Sequence, residues 1–519
     1  MDEQGGSTSM GSAPGWARWL RVGIITVCIG FYAINFHSLQ IGHHVDDGVY
    51  VSLGRSLNHG LGYVRFADPT HPHEPQYPPV FALLVAGTFA LFGDTIEALR
   101  YISLAFSVIS LLLADVFFRR RLSVEITGSY LWHPIALALF GLNHLVVGYA
   151  GMVMTEAAFI CLSLGVIVWL DRMAGERDAS RWSWVFSAVG LAALLAAAGL
   201  TRAPGYSYIV VASLYLWQVG QRHRAVVVGV MAMVFVAPWL VLQRQFTGSW
   251  FGAGYLVDVT GRGETAWPLL LRPIENLFEY AARLLPQAIT PFFGIQVEAL
   301  FARISLDLLP PVLGLLVTAF TVWGIVRLVQ GRRDPALYLA MALMLLLLVW
   351  PYRYTRFCLP FLPLCAGGFV FAAARLPGAM RWGGWLLVGL ALAGFVTRDV
   401  QMVFSPPRDR FVDLQTIAGF VEEYTEDGAI VVTHGAEAVA VYSTRAIMPI
   451  SPPKAPGIPS EPDANELLER IGELEPVYIL VFGALANEQA MLPPQFVRLP
   501  LTPVADSIEP SMKLFRLVK

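Results

Sequence analysis

Two adjacent aspartates, Asp46 and Asp47, follow the first long apolar run of the chain, in the stretch "HHVDDGVYVSLGRSLNHG". Adjacent carboxylates repel each other, so the pKa of at least one should lie above its free value unless a cation is close. A carboxylate with a raised pKa can act as a general base near neutral pH. Aspartate also caps the start of amphipathic helices, and this structural interpretation stays open beside the catalytic one. Which aspartate would be the base is open too.

Four further charged residues lie at the ends of later apolar runs. Glu156 follows Thr155 at the start of one run, Arg202 lies in "GLTRAPG", and Arg353 and Arg356 lie in "WPYRYTRFCLP". An acid is also favourable at any helix N-terminus for electrostatic reasons. Arginine presents several donors that match phosphate oxygens. Binding of lipid headgroups or snorkelling at helix ends is an alternative explanation for the arginines.

Metal chemistry is possible in the loop that follows the first apolar run, although no ligand can be assigned. The segment contains five histidines, and "HPHEP" together with an aspartate could hold a divalent cation. The spacing matches no defined ligand pattern, so solvated histidines are the simpler interpretation. The four cysteines lie inside apolar runs without CxxC spacing, which predicts buried thiols rather than a metal centre.

The composition indicates a membrane protein. Of 519 residues, 56% are hydrophobic and only 14% are charged, whereas soluble domains carry nearer a quarter. The net charge of −2 gives no argument for nucleic acid binding. A spanning helix needs about 20 apolar residues. About eleven runs are predicted to span: 22–40, 97–118, 132–150, 155–171, 183–200, 205–219, 225–242, 308–328, 335–351, 357–374 and 383–397.

The positions of the arginines predict the orientation. With eleven spans and the N-terminus in the cytoplasm, the short basic links all face the cytoplasm, as the positive-inside rule requires. Counting the apolar run 78–93 as a span would reverse this, so that run is predicted to be interfacial or re-entrant. Residues 1–21 are predicted to be a disordered cytoplasmic N-terminus, and 22–400 a transmembrane domain with outer loops 41–96 and 243–307. The acidic pair, Glu156 and the arginines then share the outer face of the cytoplasmic membrane.

From residue 405 to 519 the composition changes to that of a small extracytoplasmic α/β domain. Helices are predicted over 411–428, 436–443 and 464–473, and strands over 429–433, 477–483 and near "KLFRLVK". The segment lacks GxGxxG and GxxxxGK[ST], so no nucleotide-binding loop is predicted.

Taken together, these motifs resemble the GT-C class of membrane glycosyltransferases that use polyprenyl-phosphate sugars. The lipid A aminoarabinose transferase and the protein O-mannosyltransferases have the most similar motifs. The resemblance rests on "VDDGVYVSLGRSL", "YPPVFALLVAGTFALFG", Thr-Glu before "AAFI", "LTRAPG" and "RYTRFCLPFLP", in that order over residues 20–400. It implies a predominantly helical membrane domain and an inverting sugar transfer.

The resemblance also implies roles for particular residues. Asp46 or Asp47 would deprotonate the acceptor, and Glu156 would position substrate or a metal. Arg202, Arg353 and Arg356 would hold the donor phosphate as it leaves.

The sequence departs from this pattern at two places in the substrate loop, to which Tyr77 and Arg55 are assigned. The aminoarabinose transferase has lysine before its Pro-Pro where this chain has Tyr77, so that phosphate contact is missing or replaced. Many relatives have Asp-Glu where this chain has Asp-Asp.

The sequence therefore predicts transfer of a sugar from a polyprenyl-phosphate donor to a lipid, glycan or protein acceptor. Nucleotide sugars are too polar to cross the hydrocarbon, so an outward-facing transferase needs a donor delivered on a lipid. Two alternatives remain: a non-catalytic scaffold or lipid-binding protein, and a lipid or solute transporter, although a transporter would more often place ionisable groups in mid-span.

Overall fold

The computed structural model describes residues 14–123, 126, 128–175, 181–250, 266–291, 308–407, 412–450, 464–472, 474–483, 490–493, 496, 499–507 and 511–518. Before residue 405 the described chain is helical, and after it five strands form one sheet. The membrane part contains helices α1 (Gly15–Ile34), α2 (Val45–Asn58), α3 (Pro79–Phe92), α4 (Arg100–Arg121), α5 (Trp132–Gly141), α6 (His144–Ala150), α7 (Thr155–Gly175), α8 (Arg181–Thr201), α9 (Tyr206–Gln218), α10 (Arg222–Thr247), α11 (Ala266–Glu279), α12 (Leu285–Ile289), α13 (Leu309–Val329), α14 (Pro335–Val349), α15 (Leu362–Arg375) and α16 (Met380–Phe404).

The described helices establish a multi-pass membrane protein but do not confirm eleven spans. Eight are long and apolar enough to cross a bilayer, and the pair α5 and α6, bent by 52°, makes a ninth if it is one span. Two predicted spans are shorter than expected, because α9 has 13 residues and α14 has 15. Helix α3, which was predicted not to span, has 14 residues, a length between those of α9 and α14.

The first helix differs from its predicted position. It begins at Gly15, directly after Pro14, and ends at Ile34, so the predicted span 22–40 lies too far along the chain. The helix includes residues 15–21, which were expected to be disordered, while residues 1–13 lie outside the described part. The segment after Ile34 turns back through Asn35 and Ser38, which are polar yet buried.

Close contact between helix backbones sets the packing around α15. An added Cβ at Gly324 of α13 would lie 1.9 Å from the carbonyl oxygen of Gly368 in α15. Small residues allow membrane helices to approach this closely, and van der Waals contact then stabilises the pair. Helix α15 continues a 3₁₀ segment, Thr355–Phe361, which carries Arg356.

The C-terminal segment folds into the predicted small α/β domain. Its described elements are α17 (Leu414–Tyr424), β1 (Ile430–Thr433), α18 (Ala436–Ala440), β2 (Ala446–Pro449), α19 (Ala464–Ile471), β3 (Val477–Phe482), β4 (Leu501–Ser507) and β5 (Met512–Leu517). The sheet order is β2-β1-β3-β5-β4, with β2, β1 and β3 parallel and the β3–β5 and β5–β4 pairs antiparallel. Strands β1, β3 and β5 agree with the prediction, whereas the edge strands β2 and β4 were not predicted.

Candidate active site

The acidic pair lies in the first turn of α2, and its two members face different surroundings. The Asp46 side chain is 32% exposed, and its Oδ1 accepts a hydrogen bond of 2.9 Å from the Tyr77 hydroxyl. Its Oδ2 lies 3.3 Å from Nη1 of Arg356. Consecutive residues of a helix point about 100° apart, so Asp47 faces elsewhere. Asp46 is therefore the member of the pair that is both accessible and next to a cation.

Asp47 is a buried structural residue of the same turn, only 2% exposed. Its two oxygens accept hydrogen bonds of 2.8 Å from the backbone N–H groups of Gly42 and Gly48. Burial raises the pKa of Asp47 to about 8, although these N–H groups oppose the shift. The expectation that one aspartate titrates above its free value is thus met by Asp47, and the main cause is desolvation rather than repulsion by its neighbour.

Glu156 is the centre of a cluster that joins distant parts of the membrane domain. It lies in the first turn of α7, and its side chain is 1% exposed. Its Oε1 is 2.6 Å from Nη1 of Arg202 and 3.6 Å from Nη1 of Arg356. Arg356 therefore bridges Glu156 and Asp46, whose positions in the sequence are more than 100 residues apart. Three elements, α2, α7 and the 3₁₀ segment before α15, meet at this bridge.

Aromatic side chains surround the two arginines. The guanidinium groups of Arg202 and Arg356 lie 5.8 and 5.6 Å from the ring centroid of Phe357, and that of Arg356 lies 5.2 Å from Tyr354. Such contacts favour a cation over an aromatic face and hold the planar group in place. Arg356 Nε is buried and donates to no acceptor among the described residues.

Two residues that the sequence analysis did not assign also interact with this cluster. Tyr149 of α6 lies close enough to interact with Glu156, Arg202 and Arg356. His44 precedes α2, and burial together with the nearby Arg356 charge lowers its pKa. In the sequence His44 is only one of five loop histidines, and Tyr149 lies in an apolar run where nothing distinguishes it.

Two of the predicted site residues lie against other partners. Arg353 donates from Nε to Asn276 Oδ1 at 2.6 Å and from Nη2 to Glu275 at 2.7 Å, both in α11. Arg55 donates to Asp94 and to the carbonyl oxygens of residues 440 and 441 in the C-terminal domain. No described contact joins either arginine to Asp46 or Glu156. Tyr77, in contrast, lies in direct contact with Asp46.

The described residues do not fit a resident divalent cation. They contain no group of three His, Cys, Asp or Glu side chains placed to hold a metal ion. The carboxylates that converge here, Asp46 and Glu156, already have guanidinium groups as their counter-charges.

Comparison with known proteins gives the fold. No protein-family model matches the sequence, and no curated protein does.

ArnT from Cupriavidus metallidurans superimposes with a TM-score of 0.60 at 14% identity, over 97% of this chain and 98% of ArnT in the apo state. Its complex with undecaprenyl phosphate gives the same score. The oligosaccharyltransferase AglB from Archaeoglobus fulgidus, in complex with an inhibitory peptide and a dolichol-phosphate, gives 0.52 at 12% identity, over 90% of this chain and 70% of AglB. The arabinofuranosyltransferase AftD from Mycobacteria gives 0.53 at 15% identity, over 96% of this chain and 41% of AftD. The chain therefore has the GT-C fold that its motifs predict.

Proposed function

We propose that the protein is an inverting membrane glycosyltransferase that moves a sugar from a polyprenyl-phosphate donor to an acceptor hydroxyl or amine. The observation that carries this proposal is the bridge from Asp46 through Arg356 to Glu156, with Arg202 beside it. A partly exposed carboxylate and two partly exposed guanidinium groups lie in one place, which matches a reaction that needs a base and an anionic leaving group. The bound undecaprenyl phosphate of ArnT and the dolichol-phosphate of AglB support this class of donor.

Asp46 is the proposed base. Its carboxylate takes the proton from the acceptor, whose oxygen or nitrogen attacks the anomeric carbon of the sugar. The bond between that carbon and the phosphate oxygen breaks, and polyprenyl phosphate leaves with the electron pair. Because attack and departure take place on opposite faces of the carbon, the anomeric configuration inverts. The Tyr77 hydroxyl, which donates to Oδ1 of Asp46, orients the carboxylate.

Arg202 and Arg356 are the proposed phosphate ligands. Their side chains are 20% and 24% exposed, so both can reach a bound lipid headgroup while they remain anchored to the buried Glu156. A phosphate that binds the exposed part of the Arg356 guanidinium group also competes with Asp46, to which Nη1 of Arg356 donates. Donor binding then releases Asp46 to act as a base when the leaving group is in place. Arg353, held by α11, serves as an outer contact for the same headgroup.

The site is proposed to face the outside of the cytoplasmic membrane, with the N-terminus in the cytoplasm and the α/β domain outside. The acceptor is proposed to be an envelope lipid, glycan or protein that carries a nucleophilic hydroxyl or amine.

The test uses the purified full-length chain and a panel of undecaprenyl-phosphate pentoses and hexoses, with envelope extract as the source of acceptor. Release of undecaprenyl phosphate and incorporation of sugar are both measured. Asp46→Asn should lower kcat by about 100- to 10,000-fold, the usual contribution of general base catalysis. Binding of undecaprenyl phosphate should be retained, because the two arginines remain. Asp427→Asn, which removes a carboxylate that is 97% exposed, is the matched control.

If a stable Asp46→Asn variant transferred sugar at the wild-type rate, Asp46 would not be the base. A scaffold predicts in addition that substitutions in the α/β domain abolish function while Asp46 is dispensable. A transporter predicts movement of the donor lipid across vesicles without release of undecaprenyl phosphate.

A further inference from the structure

The C-terminal domain packs directly on the helix turn that carries Asp46. An added Cβ at Gly48 of α2 would lie 2.7 Å from the carbonyl oxygen of Glu437, which is in α18 of the C-terminal domain. An added Cβ at Gly42 would lie 3.2 Å from the carbonyl oxygen of Ala438. Both glycines also donate their N–H groups to Asp47. The backbone of each glycine therefore lies directly against the backbone of α18, because glycine has no Cβ to separate them.

Buried charges connect the same two parts of the chain. Arg65 of the first outer loop pairs with Glu74 at 2.6 Å and also with Glu437. All three side chains are less than 20% exposed, so water screens these pairs only weakly. Arg55 of α2 donates hydrogen bonds of 2.9 and 3.0 Å to the carbonyl oxygens of Ala440 and Val441 at the end of α18. Helix α18 is thus fixed to α2 and to its loop on two sides.

These contacts lead to Asp46 by two short routes. Along α2, Gly48 is two residues beyond Asp46. The second route runs through the loop, where Tyr77 lies near enough to Glu74 to interact with it. The Tyr63 hydroxyl donates to the carbonyl oxygen of Tyr77, and the Tyr77 hydroxyl donates to Asp46. A shift of α18 therefore changes both the direction of the Asp46 side chain and the position of its hydrogen-bond donor.

We propose that the C-terminal domain is a positioning element of the transfer reaction: α18, through Gly48 and the Arg65–Glu437 pair, holds α2 so that Asp46 faces Arg356. This inference rests on the proposed function, because it assigns the domain a part in the same reaction. Misplacement of a catalytic group by about 1 Å can cost about 100-fold in rate. The domain would then raise the rate without touching donor or acceptor.

Two variants of the full-length chain test this positioning role. Gly48→Ala forces the backbones of α2 and α18 apart, and Glu437→Gln removes the negative charge that pairs with Arg65. Gly419→Ala is the matched control for the first, because it makes the same substitution in a helix, α17 of the C-terminal domain, where an added Cβ meets nothing within 4 Å. Arg516→Gln is the control for the second, since its pair with Glu426 lies within the domain, 3.5 Å apart and half-exposed.

Three measurements are made on each variant: kcat with the donor that the wild type uses fastest, the Kd for undecaprenyl phosphate, and hydrogen–deuterium exchange of residues 42–58. Gly48→Ala and Glu437→Gln should lower kcat about 10-fold or more, leave the Kd within about twofold, and raise exchange in residues 42–58. Both controls should match the wild type in all three.

The positioning role is overturned if kcat equals that of the controls, if exchange rises throughout the chain, or if the effect appears only in the KM for the acceptor. The last outcome would make the domain an acceptor-binding module. The exchange measurement is independent of activity, so it still tests the support of α2 if Asp46→Asn proves fully active and the proposed function fails.

Discussion

The adjacent residues Asp46 and Asp47 have different structural roles, although both are aspartates. The sequence predicted that the pair could carry chemistry, but it could not decide between its members, because the choice depends on which face of α2 meets the arginines. Asp46 faces Arg356, which is 310 residues further along the chain, whereas Asp47 faces the turn at Gly42. Only the tertiary fold brings these groups together.

The buried carboxylate predicts a pH dependence of stability. The pKa of Asp47 is about 8 in the folded protein, above its ordinary value near 3.8. The neutral form is therefore favoured by folding, and its contribution is fully present below about pH 4 and is lost as the pH rises through 8. Asp47→Asn cannot ionise. Its free energy of unfolding, followed by thermal unfolding in detergent, should fall less steeply than that of the wild type between pH 5 and 8, by up to about 1.4 kcal/mol per pH unit. Parallel curves would contradict a buried, neutral Asp47.

Three of the residues that the sequence identified by charge lie together in the fold. Glu156, Arg202 and Arg356 stand out because they lie at the ends of apolar runs on the predicted outer face, where the positive-inside rule does not account for arginines. Tyr149 gave no such signal, since a tyrosine at a span end is common at any membrane interface. Arg353 had the same signal as Arg356, yet it pairs with Glu275. Charge alone does not show which way an arginine turns.

Among the elements, apolar length predicted the long helices, whereas the described residues do not confirm the predicted number of spans. Helices α9 and α14 have 13 and 15 residues, fewer than their apolar runs suggested. The missed strands β2 and β4 are the two edges of the sheet. Strand β2 has four residues, and β4 contains Pro503 beside a register shift. Proline and short length are typical of edge strands and weaken the alternating pattern by which strands are predicted.

The crossing of α13 and α15 predicts a stability effect that sequence hydrophobicity would not suggest. Gly324→Ala adds one methyl group, which must displace the backbone of Gly368 because the Cβ would lie 1.9 Å from its oxygen. We expect destabilisation of about 1–3 kcal/mol, the usual cost of overpacking. Gly389→Ala in α16, where an added Cβ meets nothing within 4 Å, is the control. Equal thermal unfolding temperatures for the two variants in detergent would show that α13 and α15 can separate freely.

At the scale of the whole molecule, two ionic clusters mark opposite ends of one helix. Glu156 lies in the first turn of α7, and Asp171 lies 15 residues later, which corresponds to about 22 Å along the helix axis. Asp171 pairs at 2.9 Å with the buried Arg121, which also pairs at 2.7 Å with Asp334. Three of the links predicted to face the cytoplasm, those at 119–122, 171–181 and 327–334, therefore meet at the end of the bundle away from Asp46. The charge pattern had predicted this common end from the sequence.

The separation of the two ends predicts the result of cysteine labelling in intact cells. Asn58 lies at the end of α2, in the part of the chain proposed to face outward, and Gln330 directly follows α13, four residues before Asp334 of the Arg121 cluster; both are exposed. The native cysteines are all buried, so the wild-type chain should give little background. A membrane-impermeant maleimide should label Asn58→Cys in intact cells and Gln330→Cys only after permeabilisation. The reverse result would turn the proposed site toward the cytoplasm, where nucleotide sugars are available and a lipid-linked donor is not required. Labelling of both positions from one side would contradict the arrangement of α7 as a spanning helix.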